Sequence, residues 1–139
     1  MILLDTNVVL EPIRNDPEPL VSAWLDAQAL ETLFLSAITV AELRYGVRSL
    51  PKGRRRDRLD QDLENLILPM FTGRILSFDL ACSLAFAQLM GKARLTGLAI
   101  PAANGYIAAI ASASAMTIAS RDTAPFEAAG LKTVNPWIA

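Results

Sequence analysis

Short apolar runs alternate along this chain with longer stretches whose apolar residues recur every three or four positions. Ile2-Leu3-Leu4, Leu33-Phe34-Leu35, Arg74-Ile75-Leu76, Met116-Thr117-Ile118-Ala119 and Leu131-Lys132-Thr133-Val134 read as strands. Between them, Thr6 or Asn7 can cap a short helix through Val8, Val9 and Leu10. Asp16-Pro17-Glu18 reads as a helix start, with a capping carboxylate, proline in the first turn and an acid behind it. That helix carries Val21, Trp24, Leu25 and Gln28 on one side. Ser36 or Thr39 opens another through Val40, Leu43 and Val47, where Gly46 suggests close approach by a second backbone. A polar helix is expected from Arg54 to Leu68, with Leu59, Leu63, Leu66 and Ile67 inward and Pro69 ending it. Asp79 caps a long helix through Leu80, Leu84, Ala87 and Met90. A loop from Gly97 to Pro101 leads into an alanine-rich helix from Ala102 to Ala115, and a short helix spans Pro125 to Ala129. Strands alternating with helices predict an α/β fold, a small parallel, doubly wound sheet of four to five strands with helices on both faces. No repeat or linker divides residues 1–139, which read as one domain.

Composition narrows the chemistry. Hydrophobic residues make up 53%, slightly above the usual share, as expected for strands buried on both faces or for an oligomer interface. Cys82 stands alone, which excludes a disulfide framework and a thiolate zinc site and suits a reducing compartment; it reads as a small buried hydrophobe. No signal-peptide pattern follows Met1 and no apolar run reaches membrane-spanning length, so a cytoplasmic protein without membrane contact is expected. There is no histidine. An enzyme with this composition must work through carboxylates and a metal.

Net charge is −1, yet seven of the thirteen basic residues fall between Arg44 and Arg58: Arg44, Arg48, Lys52, Arg54, Arg55, Arg56 and Arg58. Such a segment can hold a phosphate backbone, or it can be a solvated helix start and loop; the pattern alone leaves both open.

Two strands end in a carboxylate, Asp5 after the first and Asp122 just past the fourth. In a doubly wound sheet, ligands bind at the carboxyl ends of the strands that flank the topological switch point. If these two strands are neighbours, both acids face one crevice. Glu42, in the helix after the second strand, is a third candidate, and position 104 a fourth. Clustered carboxylates repel one another unless a cation neutralises them, and an oxygen-only site suits Mg²⁺ or Mn²⁺. Such an ion activates water and stabilises charge on a phosphoryl oxygen, which allows phosphodiester hydrolysis without histidine. Each acid taken singly has a plainer reading: Asp5 or Asp122 as a turn residue, Glu42 as an exposed helix acid.

The strings Met1-Ile2-Leu3-Leu4-Asp5-Thr6-Asn7-Val8, Leu35-Ser36-Ala37-Ile38-Thr39-Val40-Ala41-Glu42-Leu43-Arg44, Gly105-Tyr106-Ile107-Ala108-Ala109 and Ser120-Arg121-Asp122-Thr123, with Asn135-Pro136-Trp137, resemble a PIN-domain ribonuclease. The resemblance runs in order over nearly the whole chain. It is to the VapC toxins of bacterial toxin–antitoxin pairs, especially the FitB-like branch. It implies a PIN-like three-layer α/β/α fold and a Mg²⁺- or Mn²⁺-dependent endoribonuclease. The family's acids match Asp5, Glu42 and Asp122, with Asp5 and Asp122 as the main metal ligands. Thr6 and Ser120 match supporting polar residues, and the basic segment from Arg44 to Arg58 would position RNA. The resemblance further implies a homodimer, a VapB-like antitoxin that wraps it into a higher-order complex, and DNA contact only through that antitoxin.

One position departs from the pattern. Asn104 stands where the family carries a fourth aspartate before the Gly-Tyr-Ile-Ala-Ala string. An amide oxygen can ligate a metal, but one negative charge is lost. Asn104 can be a designed disabling change, a natural weakening or a tolerated variation; the burden of producing a toxin in living cells favours the first. A chain impaired in this way predicts either a poor nuclease or a catalytically silent scaffold that still binds an antitoxin. A receiver-like signalling domain also carries acids at strand ends. It needs a second acid beside the first and a lysine at a late strand end. Here Leu4 and Thr6 flank Asp5, and Lys132 falls inside the last strand.

Overall fold

The computed structural model describes residues 1–139. Strands β1 (Ile2–Leu4), β2 (Leu33–Ser36), β3 (Ile75–Leu76), β4 (Thr117–Ala119) and β5 (Thr133–Val134) form one sheet in the order β3-β2-β1-β4-β5. Every pairing is parallel, with Ile2 opposite Leu33 and Leu4 opposite Ala119. β1 is central. The chain steps outward to β2 and β3 and then returns past β1 to β4, so the switch point lies between β1 and β4. The two strands that end in acids are therefore neighbours, as the crevice argument requires.

Alternation along each strand divides the core into two layers. Leu3, Ile118 and partly buried Phe34 face α6 (Leu80–Leu95), α7 (Ala102–Ala113) and α8 (Ala124–Ala128), where they meet Ile107, Ile110 and Phe126. Leu4, Leu33, Leu35 and Ala119 point the other way, onto α1 (Thr6–Leu10), α2 (Pro19–Asp26) and α3 (Ala37–Arg48) through Val8, Val21 and Leu43. Strand runs so uniformly apolar are what a sheet covered on both faces requires.

Several expected boundaries shift, each for a local reason. The first helix is capped by Asp5, not Thr6 or Asn7: its carboxylate accepts the Thr6 N–H. α2 starts at Pro19 with Glu18 as its cap, because the Asp16-Pro17-Glu18 segment is drawn aside when the Glu18 N–H donates to buried Glu11. A 3₁₀ turn, Glu11–Ile13, supplies that glutamate, and a second spans Leu30–Thr32. Gly46 lies on an exposed face, and nothing would stand within 4 Å of an added Cβ, so no backbone approaches there. The close approach is instead at Gly105, where a Cβ would stand 2.9 Å from Met90 Sδ and 3.1 Å from Phe86 Cε2. This glycine lets α6 and α7 pack side by side, beside the stacked Phe86 and Tyr106 rings at 4.7 Å.

The polar helix does not stop at Leu68. α4 (Arg54–Asp62) runs through a π turn (Leu63–Ile67) into α5 (Leu68–Met70), with the Leu68 N–H reaching back to the Leu63 carbonyl. Pro69 has no N–H to give, and the widened turn just before it accommodates the missing donor. The extra residue in that turn rotates Leu66 outward to 62% exposure, against the expected inner position, while Leu63 and Leu68 are buried. On α6, Leu80 and Leu84 also face out, and Cys82, Leu89 and Ala93 carry the inner face. Cys82 is buried and free.

Candidate active site

β1 ends at Leu4, and the Asp5 N–H continues the sheet by donating to the Ala119 carbonyl at 2.9 Å. This places Asp5, only 6% exposed, at the carboxyl edge of the central strand. Its carboxylate is held from two sides. Oδ1 accepts the Thr6 N–H at 2.8 Å and Oδ2 accepts the Ser120 hydroxyl at 2.7 Å. Ser120 is fully buried at the end of β4. Its oxygen receives the Asp122 N–H at 3.2 Å and an Asn7 side-chain N–H at 3.4 Å, which leaves its own proton for Asp5.

Asn7 reaches further. Its Oδ1 accepts the Arg121 N–H at 3.3 Å, so one side chain ties the start of α1 to the loop that carries Asp122. From the sequence alone, Asn7 reads only as a helix cap. Its position two residues past a strand-end acid was the available signal, because a side chain there faces the next strand end.

Glu42 comes from α3. Ser36 caps that helix by accepting the Thr39 N–H at 3.0 Å, which fixes the rotation of its first turns. The exposed Glu42 carboxylate accepts the Thr6 hydroxyl at 2.8 Å, and the buried Thr39 hydroxyl lies 3.2 Å from the same Thr6 oxygen. Thr6 therefore links Asp5 to Glu42 through its backbone and its hydroxyl. Asp122 is exposed just past β4. Asn104 is half-buried in the first turn of α7, which has Pro101 as its cap residue and no side-chain cap.

The electrostatics single out Asp5. Burial pushes its carboxyl above the ordinary aspartate range, and the charges of Glu42 and Asp122 add to that push. The Ser120 and Thr6 hydrogen bonds oppose it without cancelling it. The donors around Asp5 are neutral and its nearest charges are of its own sign. No basic side chain offsets the burial of this carboxylate.

The structure thus brings Asp5, Thr6, Glu42, Ser120 and Asp122 to one edge of the sheet. It does not gather three acids closely enough to share one ion. The donor set nevertheless fits Mg²⁺ or Mn²⁺. It is all oxygen, and Mg²⁺ is commonly held by one or two carboxylates, with waters and substrate phosphate oxygens completing its octahedron.

The basic segment divides in two. Arg44 makes a bidentate pair with Glu64, at 2.7 and 3.0 Å, and Arg48 lies 3.9 Å from Asp60. These two cations brace α3 against α4 and the π turn. Lys52, Arg54 and Arg55 are exposed, Arg56 is half-buried, and Arg54, Arg55 and Arg58 line a groove with Pro12, Ile13 and Asn15.

The family model described as the PIN domain matches residues 2–131. A VapC ribonuclease, Y4jK, of Sinorhizobium fredii is 53% identical over 137 residues, covering 99% of this chain and 98% of that protein. Toxin FitB of Neisseria gonorrhoeae is 51% identical over 137 residues, covering 99% of each. The crystal structure of FitAcB from Neisseria gonorrhoeae superposes with a TM-score of 0.98 at 50% identity, over 100% of both chains. A structure of FitAB bound to an IR36 DNA fragment gives 0.96 at 50% identity, over 99% of this chain and 96% of that one. With its acids at the β1–β4 switch point and its fold matched from end to end, this chain belongs to the PIN-domain family, within the FitB-like branch of the VapC group.

Proposed function

We propose that this chain is the toxin of a type II toxin–antitoxin pair, built as a Mg²⁺- or Mn²⁺-dependent endoribonuclease and weakened by Asn104. The observation that carries the reading is Asp5, a buried carboxylate with neutral donors, like-charged neighbours and a raised pKa at the switch point of the sheet. When bound, the dication would supply Lewis-acid stabilisation of charge on a phosphoryl oxygen and a water of lowered pKa. Asp5 and Asp122 would hold it, with the Asn104 amide oxygen as a weaker ligand and Glu42 reaching it through water.

The chain's own groups prepare that binding. Ser120 and Thr6 each occupy one Asp5 oxygen and so fix the carboxylate plane. Thr6 also orients Glu42, and the Asp122 N–H bond to Ser120 sets the loop on which Asp122 sits. Lys52, Arg54, Arg55 and Arg56 would attract the RNA backbone, giving salt-dependent binding with little base information. The ion-paired Arg44 and Arg48 would contribute less.

The similarity to FitAB and to toxins of the VapC group supports a VapB-like antitoxin, and DNA contact through that partner. An apolar cavity of about 380 Å³ between Val9, Ile13, Leu25, Ile67 and Phe71 supports a partner that inserts apolar side chains. We assign a homodimer to the outer face of α6, where Leu80, Leu84 and Leu95 are 87%, 62% and 90% exposed. No helix is long and apolar enough to cross a membrane, and the function assigned here is cytoplasmic. A catalytically silent scaffold on the same fold is the second reading, favoured by Asn104.

RNA cleavage decides between them. Asn104→Asp should restore a full acid set and raise Mn²⁺-dependent cleavage at least tenfold, on the order of what a supporting group contributes to a metal site. Cleavage that needs no metal, or that survives Asp5→Ala, would contradict the enzyme reading. Absence of cleavage from both forms together with intact antitoxin binding would establish the scaffold.

A further inference from the structure

Beside the acids, on the side of β5, lies a cleft of about 380 Å³ that the reading above leaves without a role. Its walls are Glu11, Arg14, Asp16, Glu18, Arg121 and Trp137. The Arg121 guanidinium lies over the Trp137 indole, 5.4 Å from the ring centroid. Arg121 is exposed and Trp137 half-buried, so the pair presents a planar cationic surface backed by an aromatic ring. The surface is built in. Asn135 donates to the Arg121 carbonyl at 3.2 Å and accepts the Trp137 N–H at 2.9 Å, which staples the chain end to the β4 loop. Asn7 fixes Arg121 from the opposite side at 3.3 Å. Arg121 stands between Ser120 and Asp122 in the chain, so the platform is carried by the same loop as Asp122.

The rim is acidic, which argues against a phosphate in this cleft. The Glu11 charge is already engaged by Arg14 at 3.1 Å and by the Glu18 N–H at 3.1 Å. Asp16 is exposed and makes no such pair. A flat ligand with an amino group on its edge satisfies both features: it stacks on Arg121 and donates to a carboxylate, whereas the single uracil N3–H is flanked by two carbonyl oxygens that a carboxylate repels. Nucleobases carrying an amino group meet that description, since base faces stack on guanidinium and aromatic planes and carboxylates accept from amino edges.

We propose that the Arg121–Trp137 pair is a subsite for the nucleobase next to the scissile phosphate, and that it prefers bases with an exocyclic amino group over uracil. The proposal rests on the ribonuclease reading for its place in a reaction, but its test needs no turnover. Trp24→Phe leaves Trp137 as the sole indole, since the chain has two tryptophans. Short single-stranded oligo(A), oligo(C) and oligo(U) are titrated into this variant in EDTA. Oligo(A) and oligo(C) should quench Trp137 emission and bind about tenfold more tightly than oligo(U), a difference on the scale of one stacked base. Read by the anisotropy of a labelled oligomer, because the reporting indole is gone, Trp137→Ala should lose about tenfold in oligo(A) affinity, with Trp137→Phe retaining most of it. Arg121→Ala, an exposed change that should not disturb folding, should weaken oligo(A) in the same direction.

Equal affinity for the three oligomers, or oligo(A) affinity unchanged by Arg121→Ala, overturns the proposal. Loss of antitoxin binding in Trp137→Ala with RNA affinity intact also overturns it and gives this surface to the protein partner. Trp137-dependent binding of oligo(A) without cleavage by any form would leave the subsite standing and remove the nuclease reading instead.

Discussion

Asp5 and Glu11 lie on the same short segment and are buried to nearly the same degree, 6% and 4% exposed, yet their carboxylates respond to burial in opposite ways. Burial is the largest influence on each and acts upward on both. At Glu11 the Arg14 guanidinium, with the Glu18 N–H, reverses it and holds the carboxyl below the ordinary glutamate range. At Asp5 the partners are a hydroxyl and one backbone N–H, while Glu42 and Asp122 add charge of the same sign, so the pKa stays raised. Burial alone therefore does not decide which way a carboxyl pKa moves. The sign of what surrounds the acid does. Glu11 is neutralised by the chain itself and helps to fold the 11–18 segment, whereas Asp5 has no cationic partner of its own.

The largest effect that tests this contrast is on turnover. In the Asn104→Asp background, Asp5→Asn should reduce RNA cleavage by more than the ~10–100-fold that a supporting residue contributes. Glu11→Gln should lower the cleavage rate of the folded fraction by less than tenfold, on the order of a change away from the metal ligands. Next comes Ser120→Ala, which removes the donor to Asp5 Oδ2 and should weaken Mn²⁺ binding by about tenfold in calorimetric titration. The same loss in a Cys82→Ala control would deny Ser120 its orienting role.

Stability should separate the two acids more gently and with opposite pH dependence. Glu11→Gln should destabilise the fold by about 1–2 kcal/mol at neutral pH, because Arg14 is more than half exposed and water screens part of the pair. The Glu11 contribution is present above the ordinary glutamate pKa and is lost as pH falls through its depressed folded value. The raised Asp5 pKa works the other way. Its contribution is full below the ordinary aspartate pKa and is lost as pH rises through the folded value. Metal-free Asp5→Asn should therefore gain stability over the parent as pH rises from the acid range towards 7. Thermal unfolding in EDTA across that range reads both; parallel pH dependence of the two variants would erase the distinction.

Much of this arrangement was legible in the residue pattern. Strand runs such as Leu33-Phe34-Leu35 are uniformly apolar because both sheet faces are covered, and the alternation with helices gave the parallel order. The β1–β4 adjacency that joins Asp5 to Asp122 is only a condition of the switch-point reading, and the sheet order is what meets it. Features set by the partner of a side chain were not legible. Asp16-Pro17-Glu18 has the composition of a helix start, but buried Glu11 captures the Glu18 N–H and moves the start to Pro19. The π turn before Pro69 rotates Leu66 outward although its spacing matched an inner face. Gly46 and Gly105 look alike in sequence, and only packing shows that Gly105 is the one pressed by a neighbouring helix. In the site, Asn7 was hidden for the same reason: its role is a contact to Arg121 and Ser120, far away in the chain.

The central claim, that Asp5 is an acid awaiting a cation, meets its most direct test in the Mn²⁺ dependence of thermal unfolding. A ligand that binds only the folded state stabilises it in proportion to the logarithm of its concentration over Kd. Mn²⁺ should raise the melting temperature of the parent chain, raise it further for Asn104→Asp, and leave Asp5→Asn where EDTA leaves it. An equal rise for the parent and Asp5→Asn, or no rise in any form at millimolar Mn²⁺, would contradict the account.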